Sequence, residues 1–182
     1  MRRAVAPAAA LIALAACAAC APSSTTGSTE FRPTATLREV MNSVIDPDAD
    51  FLWDSLSIDA TLHGTVKKEP ATDEEWTSLR RHAIALVEAT NLLLIPGRQV
   101  ARPGEPAGDP ISDRPPEEIQ TLITGNGANW TALVHGLQDA AMLSVKAAEA
   151  KKIDQLLEAG GALDEACENC HVKYWYRKPP GR

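Results

Sequence analysis

The chain contains 182 residues, of which 45% are hydrophobic and only 4% aromatic, and its formal net charge at pH 7 is −6. Proteins that bind nucleic acids need basic stripes or patches that neutralise phosphates, so this acidic balance excludes a nucleic-acid-binding function. The length is that of one ordinary domain with short extensions.

The N-terminus resembles a bacterial export signal. Residues 2–3 are both arginine, and the apolar stretch 8–16 that follows them is too short to span a membrane. The letters LAAC at residues 14–17 resemble a lipobox, whose cysteine is lipidated and becomes the first residue of the mature protein. We therefore predict a lipoprotein signal peptide at residues 1–16, lipidation at Cys17 and a periplasmic, membrane-anchored protein. The alternative is ordinary signal cleavage with no lipid.

Residues 17–35 are rich in Ala, Ser, Thr, Pro and Gly, a composition that cannot build a packed core. We interpret them as a flexible linker between the membrane and a folded domain at residues 36–182. Removal of the signal takes two arginines away, which makes the mature chain more acidic than its precursor.

The apolar residues of the domain recur at helical spacing, and no period-2 run is long enough to predict a strand. The first helix is defined by Leu37, Val40, Met41, Val44 and Ile45. Asp46 and Pro47 then predict an interruption, with Asp46 as the N-cap and Pro47 in the first turn of a continuation. The second helix begins at a capping box, residues 72–75, and residues 96–97 (Pro-Gly) end it.

The second half of the domain predicts two more helices. Residues 96–116 are rich in Pro and Gly and predict a long crossover loop, which we expect to be mobile. A third helix is predicted without a break over residues 119–145, with Gly125 and Gly127 as sites of bending. A fourth begins near Asp154. Four helices with these connections predict an all-α, up-down-up-down four-helix bundle.

The last predicted helix contains the sequence Cys167-Glu168-Asn169-Cys170-His171. On a helix the second cysteine lies three positions, and the histidine four positions, after Cys167, so the three side chains share one face. C-x-x-C-H is the attachment motif for c-type haem, in which the thiols add to the haem vinyl groups and the histidine becomes the proximal iron ligand. We therefore predict one covalent haem c at the end of a C-terminal attachment helix.

Zinc binding and thiol redox chemistry are the alternatives for these cysteines. Zinc would need further cysteine or histidine ligands at paired spacing, and the rest of the mature chain offers the isolated residues His63, His82 and His135. A redox dithiol would normally belong to a βαβ unit, which the sequence does not predict. No nucleophile triad, phosphate loop or carboxylate pair predicts an enzyme.

A four-helix bundle with C-x-x-C-H on its last helix is similar to the cytochrome c' superfamily, the class II c-type cytochromes. The resemblance covers about residues 36–178 and depends on the haem motif continued to Tyr174 and on the stretch 37–41. In the family an aromatic residue lies three positions after the haem histidine, as Tyr174 does, and a basic residue follows it. Trp175 takes that position here, and the basic residues 177–178 are the nearest substitutes.

The resemblance implies a sixth ligand for the haem iron and, through it, a function. Low-spin members of the family supply a methionine from the first helix, and Met41 matches it, which implies electron transfer to a redox partner protein. The alternative is that Met41 is a core residue and that an open sixth position, lined by Leu37 and Val40, binds NO or CO. Tyr174 and Trp175 are expected beside the haem.

Two further possibilities remain for the chain. Dimers occur in the cytochrome c' superfamily, so the resemblance also allows a homodimer. A third functional class dispenses with haem and consists of a lipid-anchored helical bundle whose Cys167 and Cys170 form a disulfide or bind a metal ion.

Overall fold

A computed structural model describes residues 31–62 and 64–177, and of residues 58–61 it describes only the backbone. The predicted signal peptide, Cys17, most of the predicted linker, His63 and Lys178 lie outside these residues. Within them the fold is all-α, as predicted, apart from one short hairpin. The α-helices are α1 (Leu37–Val40), α2 (Asp46–Asp54), α3 (Asp73–Leu93), α4 (Pro116–Gly125), α5 (Gly127–Ala150) and α6 (Ile153–Cys170). Two π-helical segments continue α1 and α6, namely π1 (Met41–Ile45) and π2 (His171–Trp175).

The first helical stretch is continuous through α1, π1 and α2, so it is not split at Asp46, although Pro47 does lie in the first turn of α2 as predicted. Asp46 has helical dihedral angles (φ −61°, ψ −49°), and its N–H donates to the carbonyl of Met41 in the π pattern, so Asp46 is not an N-cap. In a regular helix the ring of Pro47 would clash with the carbonyl four residues earlier, and Pro47 has no N–H to donate. The wider π turn before Pro47 relieves this conflict, so the helix continues.

A β hairpin follows α2, although the sequence predicts no strand. Strands β1 (Ser57–Thr61) and β2 (Gly64–Lys68) pair antiparallel and leave a two-residue loop between them. Gly64 adopts a φ of +123°, which glycine tolerates because it has no Cβ. Every residue of β2 is exposed. A strand with one buried face shows alternating apolar and polar residues, and β2 lacks that pattern because neither of its faces is buried.

Both ends of α3 agree with the prediction. The Thr72 side chain accepts a hydrogen bond from the N–H of Glu75 (3.2 Å), and the Glu75 carboxylate accepts one from the N–H of Thr72 (2.8 Å). This complete capping box satisfies backbone donors at the helix start. The helix ends at Leu93, and Gly97 follows with a φ of +78°.

The predicted third helix is wrong as a single element, because Asn126 divides it into α4 and α5. Asn126 leaves helical geometry (φ −145°, ψ 65°), and its side chain accepts a hydrogen bond from the N–H of Asn129 at 3.1 Å. Asn126 therefore caps α5. Gly125 and Gly127 flank the cap, and their low helix propensity makes a full break cheaper than a bend.

The crossover between α3 and α4 is anchored, whereas the sequence favours a mobile loop. The guanidinium of Arg98, a residue only 8% exposed, donates to the carbonyls of Leu92 (2.8 Å) and Ala35. The N–H of buried Val100 donates to the side chain of Gln120 at 2.9 Å. A segment without secondary structure needs such partners for its buried polar groups, and here α3, α4 and the segment before α1 supply them.

The hydrophobic core lies between the long helices. α3 packs against α5, α5 packs against α6, and α2 contacts both α3 and α6. At Gly160 of α6 the backbone comes close to Trp53, whose Nε1–H donates to the Gly160 carbonyl at 3.0 Å. Among the described residues, no helix has the length and apolar character needed to cross a membrane. The apolar residues that are no more than 1% exposed are Leu79, Ala83, Leu86, Val100, Ile119, Ala141, Ala147, Ala159 and Leu163.

Candidate haem-attachment site

The end of α6 borders two cavities, and we call the larger of these two, which is mostly apolar and has a volume of about 240 Å³, the main cavity. Both π segments contribute to its walls, and π-helical turns are rare features that often lie at functional sites. The sequence analysis did not predict either of them. The residues that line the main cavity are Leu37, Arg38, Met41, Asn42, Asp46, Asp113, Ile119, Ile123, Trp130, Cys170, His171, Tyr174, Trp175 and Tyr176.

The three residues of the haem motif lie at the junction of α6 and π2. Cys170 is buried, Cys167 and His171 are half-buried, and the two cysteines are free thiols. Cys170 and His171 line the main cavity, and Cys167 lines a smaller adjoining cavity of about 20 Å³. The helix therefore places both thiols and the imidazole at neighbouring cavities, as their spacing predicts.

Met41 of π1 lies at the same two cavities as Cys170 and His171. Its half-buried side chain packs against the core and lines both cavities together with His171. The structure thus brings together the two residues that the sequence analysis proposes as iron ligands. Leu37 also lines the main cavity, whereas Val40, expected beside an open sixth position, belongs to the core.

Tyr174 is a buried wall of the main cavity. Its hydroxyl accepts a hydrogen bond from the Asn129 side chain at 2.9 Å, so this polar group has a partner although the walls around it are mostly apolar. Its ring meets the ring of Trp130 edge to face, with the centroids 5.3 Å apart. Trp130 is a cavity residue that the sequence analysis did not single out, because nothing in its local sequence distinguishes it from a core tryptophan.

Trp175 forms the adjacent wall and is held by polar contacts. Its Nε1–H donates to the Asp113 carboxylate at 3.1 Å, and the guanidinium carbon of Arg38 lies 5.7 Å from the centre of its ring. Cations are attracted to aromatic faces at such distances. The cation beside Trp175 is therefore Arg38 of α1. Arg38 is far from the haem motif in the sequence, so the sequence near the motif does not reveal this contact.

Arg177 does not replace a basic residue at position 175. Its backbone N–H donates to the carbonyl of Ser112 (2.7 Å), and its Nε donates to the carbonyl of Asp113 (2.6 Å), so Arg177 ties the C-terminal segment to the crossover. Tyr176 precedes Arg177, and the centroid of its ring lies 5.8 Å from the centroid of the His171 ring.

Asp46 is an acidic group of the site that the sequence analysis assigned to a different role. It lines both cavities, together with Met41 and His171. Although the residue keeps access to solvent, partial burial of its carboxyl group raises the pKa, and the nearby charge of His171 opposes that change.

The pKa values of the two cysteine thiols are raised, so the thiols stay protonated at neutral pH. Burial raises the pKa of Cys167 to about 11, with a further contribution from the negative charges of Asp46 and Asp164. Burial, together with the neighbouring Cys167, raises the pKa of Cys170 to about 12. Thiolates are the species that attack electrophiles, so the free thiols react slowly at neutral pH in this environment.

Slow alkylation of the thiols is the expected consequence in the haem-free chain. The pKa of Cys167 lies about two units above its ordinary value, so at pH 8 iodoacetamide should modify the folded chain roughly 100-fold more slowly than the urea-unfolded chain. The rate should rise about tenfold per pH unit up to near pH 11. Peptide mass spectrometry measures the rates, and circular dichroism verifies that the sample is helical; fast labelling of a helical sample at pH 7 would contradict the expectation.

The other described histidines lie elsewhere. His82 stacks on Phe51, with ring centroids 3.8 Å apart, and its Nδ1 lies 2.6 Å from the Asp48 carboxylate. His135 is exposed on α5. Over residues 31–62 and 64–177, no three histidine, cysteine or acidic side chains come together as metal-binding groups would.

The residues at the main cavity and the small cavity beside it fit a c-type haem. Two free thiols at i and i+3 and an imidazole at i+4 match the attachment chemistry, and aliphatic and aromatic side chains supply the apolar walls that a porphyrin needs. Comparisons of the chain with models of known protein families, with curated proteins and with solved structures found no match.

Proposed function

We propose that the chain is a periplasmic c-type cytochrome that binds one covalent haem and transfers single electrons to a partner protein. One observation carries this proposal: the motif residues Cys170 and His171 share an apolar cavity with Met41, which approaches from a different helix. A structural role for the motif alone would not require a cavity beside it, because a helical bundle gains stability by filling such space.

Each side chain at the site has a defined task under this proposal. The sulfurs of Cys167 and Cys170 hold the haem as thioethers, His171 is the proximal ligand, and Met41 is the distal ligand. The bound haem supplies a one-electron Fe(III)/Fe(II) couple, whose potential a methionine ligand raises. Leu37 and Ile119 exclude water from the cavity, which keeps the local dielectric constant low.

We also propose a four-helix bundle of the cytochrome c' type as the architecture. The contacts that support it join α2 to α3, α3 to α5, α5 to α6 and α6 back to α2, which closes a ring of four helices. α4 lies within the connection between the second and third of these. Such bundles place cofactors between facing helices, where Met41 and His171 lie.

The proposed location is the periplasmic side of a membrane, with a lipid on Cys17. The support is the lipobox-like sequence at residues 14–17 and the need for haem attachment outside the cytoplasm. Mass spectrometry of the N-terminal peptide from membrane fractions tests it. An unlipidated N-terminus after Cys17 would refute the anchor.

Gas binding is the second candidate function. The main cavity is apolar and lies beside His171, and Met41 is only half-buried, so a methionine that leaves the iron would open space for CO or NO. This candidate shares the haem and its three attachment residues with the first. It differs only at the sixth position.

Visible spectra with and without CO distinguish these functions. The chain is produced with a c-haem maturation system, and ferric and ferrous spectra are recorded. A covalent haem that is low-spin in both states and unaffected by CO supports the electron carrier. A high-spin spectrum that changes with CO supports gas binding, and a colourless protein with intact helices supports the haem-free bundle.

A further inference from the structure

The guanidinium of Arg38 has two buried donors without a partner at the main cavity. Its Nη1 donates to the carbonyl of Pro106 at 2.8 Å, whereas Nε and Nη2 are buried and have no hydrogen-bond partner. Arg38 lines the main cavity. Arg38 as a whole is half-buried, but arginine stays charged at all ordinary pH values, so two buried donors without a partner are costly.

Asp46, which also lines the main cavity, forms no ion pair or hydrogen bond with Arg38, and two further carboxylates are occupied by other groups. The Glu39 carboxylate accepts hydrogen bonds from Arg102 (2.9 Å) and from the N–H of Thr36 (2.9 Å). The Asp113 carboxylate accepts from Trp175 Nε1 (3.1 Å) and from the N–H of Asp109 (2.9 Å). Among the described residues no carboxylate forms an ion pair with Arg38, so its free donors are available to an anionic group of a bound molecule.

The geometry of the free donors specifies the kind of counterion. Nε and Nη2 are the two parallel donors on one edge of the guanidinium, and a carboxylate accepts this pair with both of its oxygens. The side chain is also held in place, by the carbonyl of Pro106 on one side and the ring of Trp175 on the other. A fixed fork binds an anion with little loss of entropy.

We propose that Arg38 binds a carboxylate of the molecule in the main cavity. This inference rests on the proposed function, under which that carboxylate is a propionate of the haem. Arg38 is then a positioning residue: it orients the haem edge and places a positive charge beside it, which favours the reduced state of the iron.

The test uses the haem-loaded protein and three variants. Arg38→Gln removes the charge and the fork, and Arg38→Lys keeps the charge but not the fork. Arg80→Gln is the matched control, because it removes one charge from an exposed pair with Glu149 on the surface of α3. Potentiometric titration gives the reduction potential, and resonance Raman spectroscopy reports the propionate bending vibration.

We expect Arg38→Gln to lower the ferrous-to-ferric ratio at a fixed ambient potential about tenfold, which corresponds to about 59 mV for one electron. Arg80→Gln should change the ratio by less than about twofold, because solvent screens its charge. Arg38→Lys should retain most of the potential, yet both Arg38 variants should shift the propionate band. An unchanged band in both, or equal potential shifts in Arg38→Gln and Arg80→Gln, would overturn the proposal.

Two further controls make the outcome decisive. If Arg38→Gln fails to mature, the Raman band of Arg38→Lys decides, since a shifted band supports the contact and an unchanged band refutes it. Acetate titration at constant ionic strength separates a haem carboxylate from a free one. An acetate-dependent potential in the wild type that is absent from Arg38→Gln would show that a free carboxylate binds and would refute the propionate. Failure of the proposed function is distinguishable, because it gives a colourless wild-type protein.

Discussion

Covalent haem should be lost completely when Cys167 and Cys170 are both replaced by serine. A serine hydroxyl does not form the stable bond to a vinyl carbon that a thiol forms, so haem in this variant would be released by denaturation. Each single variant should keep one thioether and lose roughly half of the covalent bonds. Intact mass and haem staining on denaturing gels measure attachment, and the pyridine haemochrome spectrum reports the number of vinyl groups saturated.

The matched control is Cys20→Ser, which also removes one thiol but lies outside the haem motif. This variant should attach haem as well as the wild type does. Both serine positions remain in helical geometry, and serine is close to cysteine in volume, so the helical content of the double variant should be unchanged. Covalent haem in the double variant would refute Cys167 and Cys170 as the attachment residues.

Met41→Ala should convert a low-spin haem into a high-spin one that binds CO. Removal of the thioether leaves the iron with His171 as its one protein ligand and enlarges the cavity beside it. The loss of a methionine ligand should also lower the reduction potential, by on the order of 0.1 V. Visible and electron paramagnetic resonance spectra give the spin state, and a CO titration gives the affinity.

Met142→Ala is the matched control for this experiment. Met142 lies on α5 and is 36% exposed, and it does not line either cavity, so its removal should leave spin state and potential unchanged. If Met41→Ala also retains the wild-type spectrum, Met41 is a packing residue and the sixth ligand lies elsewhere. If the haem of the wild type is already high-spin, the result supports gas binding and contradicts the electron carrier.

Several elements follow from short stretches of sequence because their causes are local. The capping box at residues 72–75 and the Pro-Gly pair at residues 96–97 define α3 within a few residues, since capping bonds and φ restrictions act over one turn. The all-α class follows in the same way from the spacing of apolar residues. The motif at residues 167–171 predicts its own geometry on one helix face, because helix periodicity depends on no other part of the chain.

Other predictions failed where nonlocal contacts or competing local geometry decided the outcome. The sequence predicts Asp46 as an N-cap. The helix nevertheless continues through Asp46, because a π turn accommodates Pro47. Asn126 breaks a helix that the spacing of apolar residues predicts to be continuous. The side chain of Asn126 caps a new helix, and the two flanking glycines have low helix propensity. The crossover is anchored by hydrogen bonds from Arg98 to Ala35 and from Val100 to Gln120, which are distant from it in the sequence.

The sequence by itself determined the all-α class, the haem motif and the shared helix face of Cys167, Cys170 and His171. Only the tertiary structure placed Met41 at the same cavity as His171 and left two donors of Arg38 buried without a partner. The physical reason is a difference in range. Hydrogen bonding and side-chain periodicity within a helix depend on neighbours three to four positions away, whereas a cavity is formed by side chains from several helices and exists only after they pack.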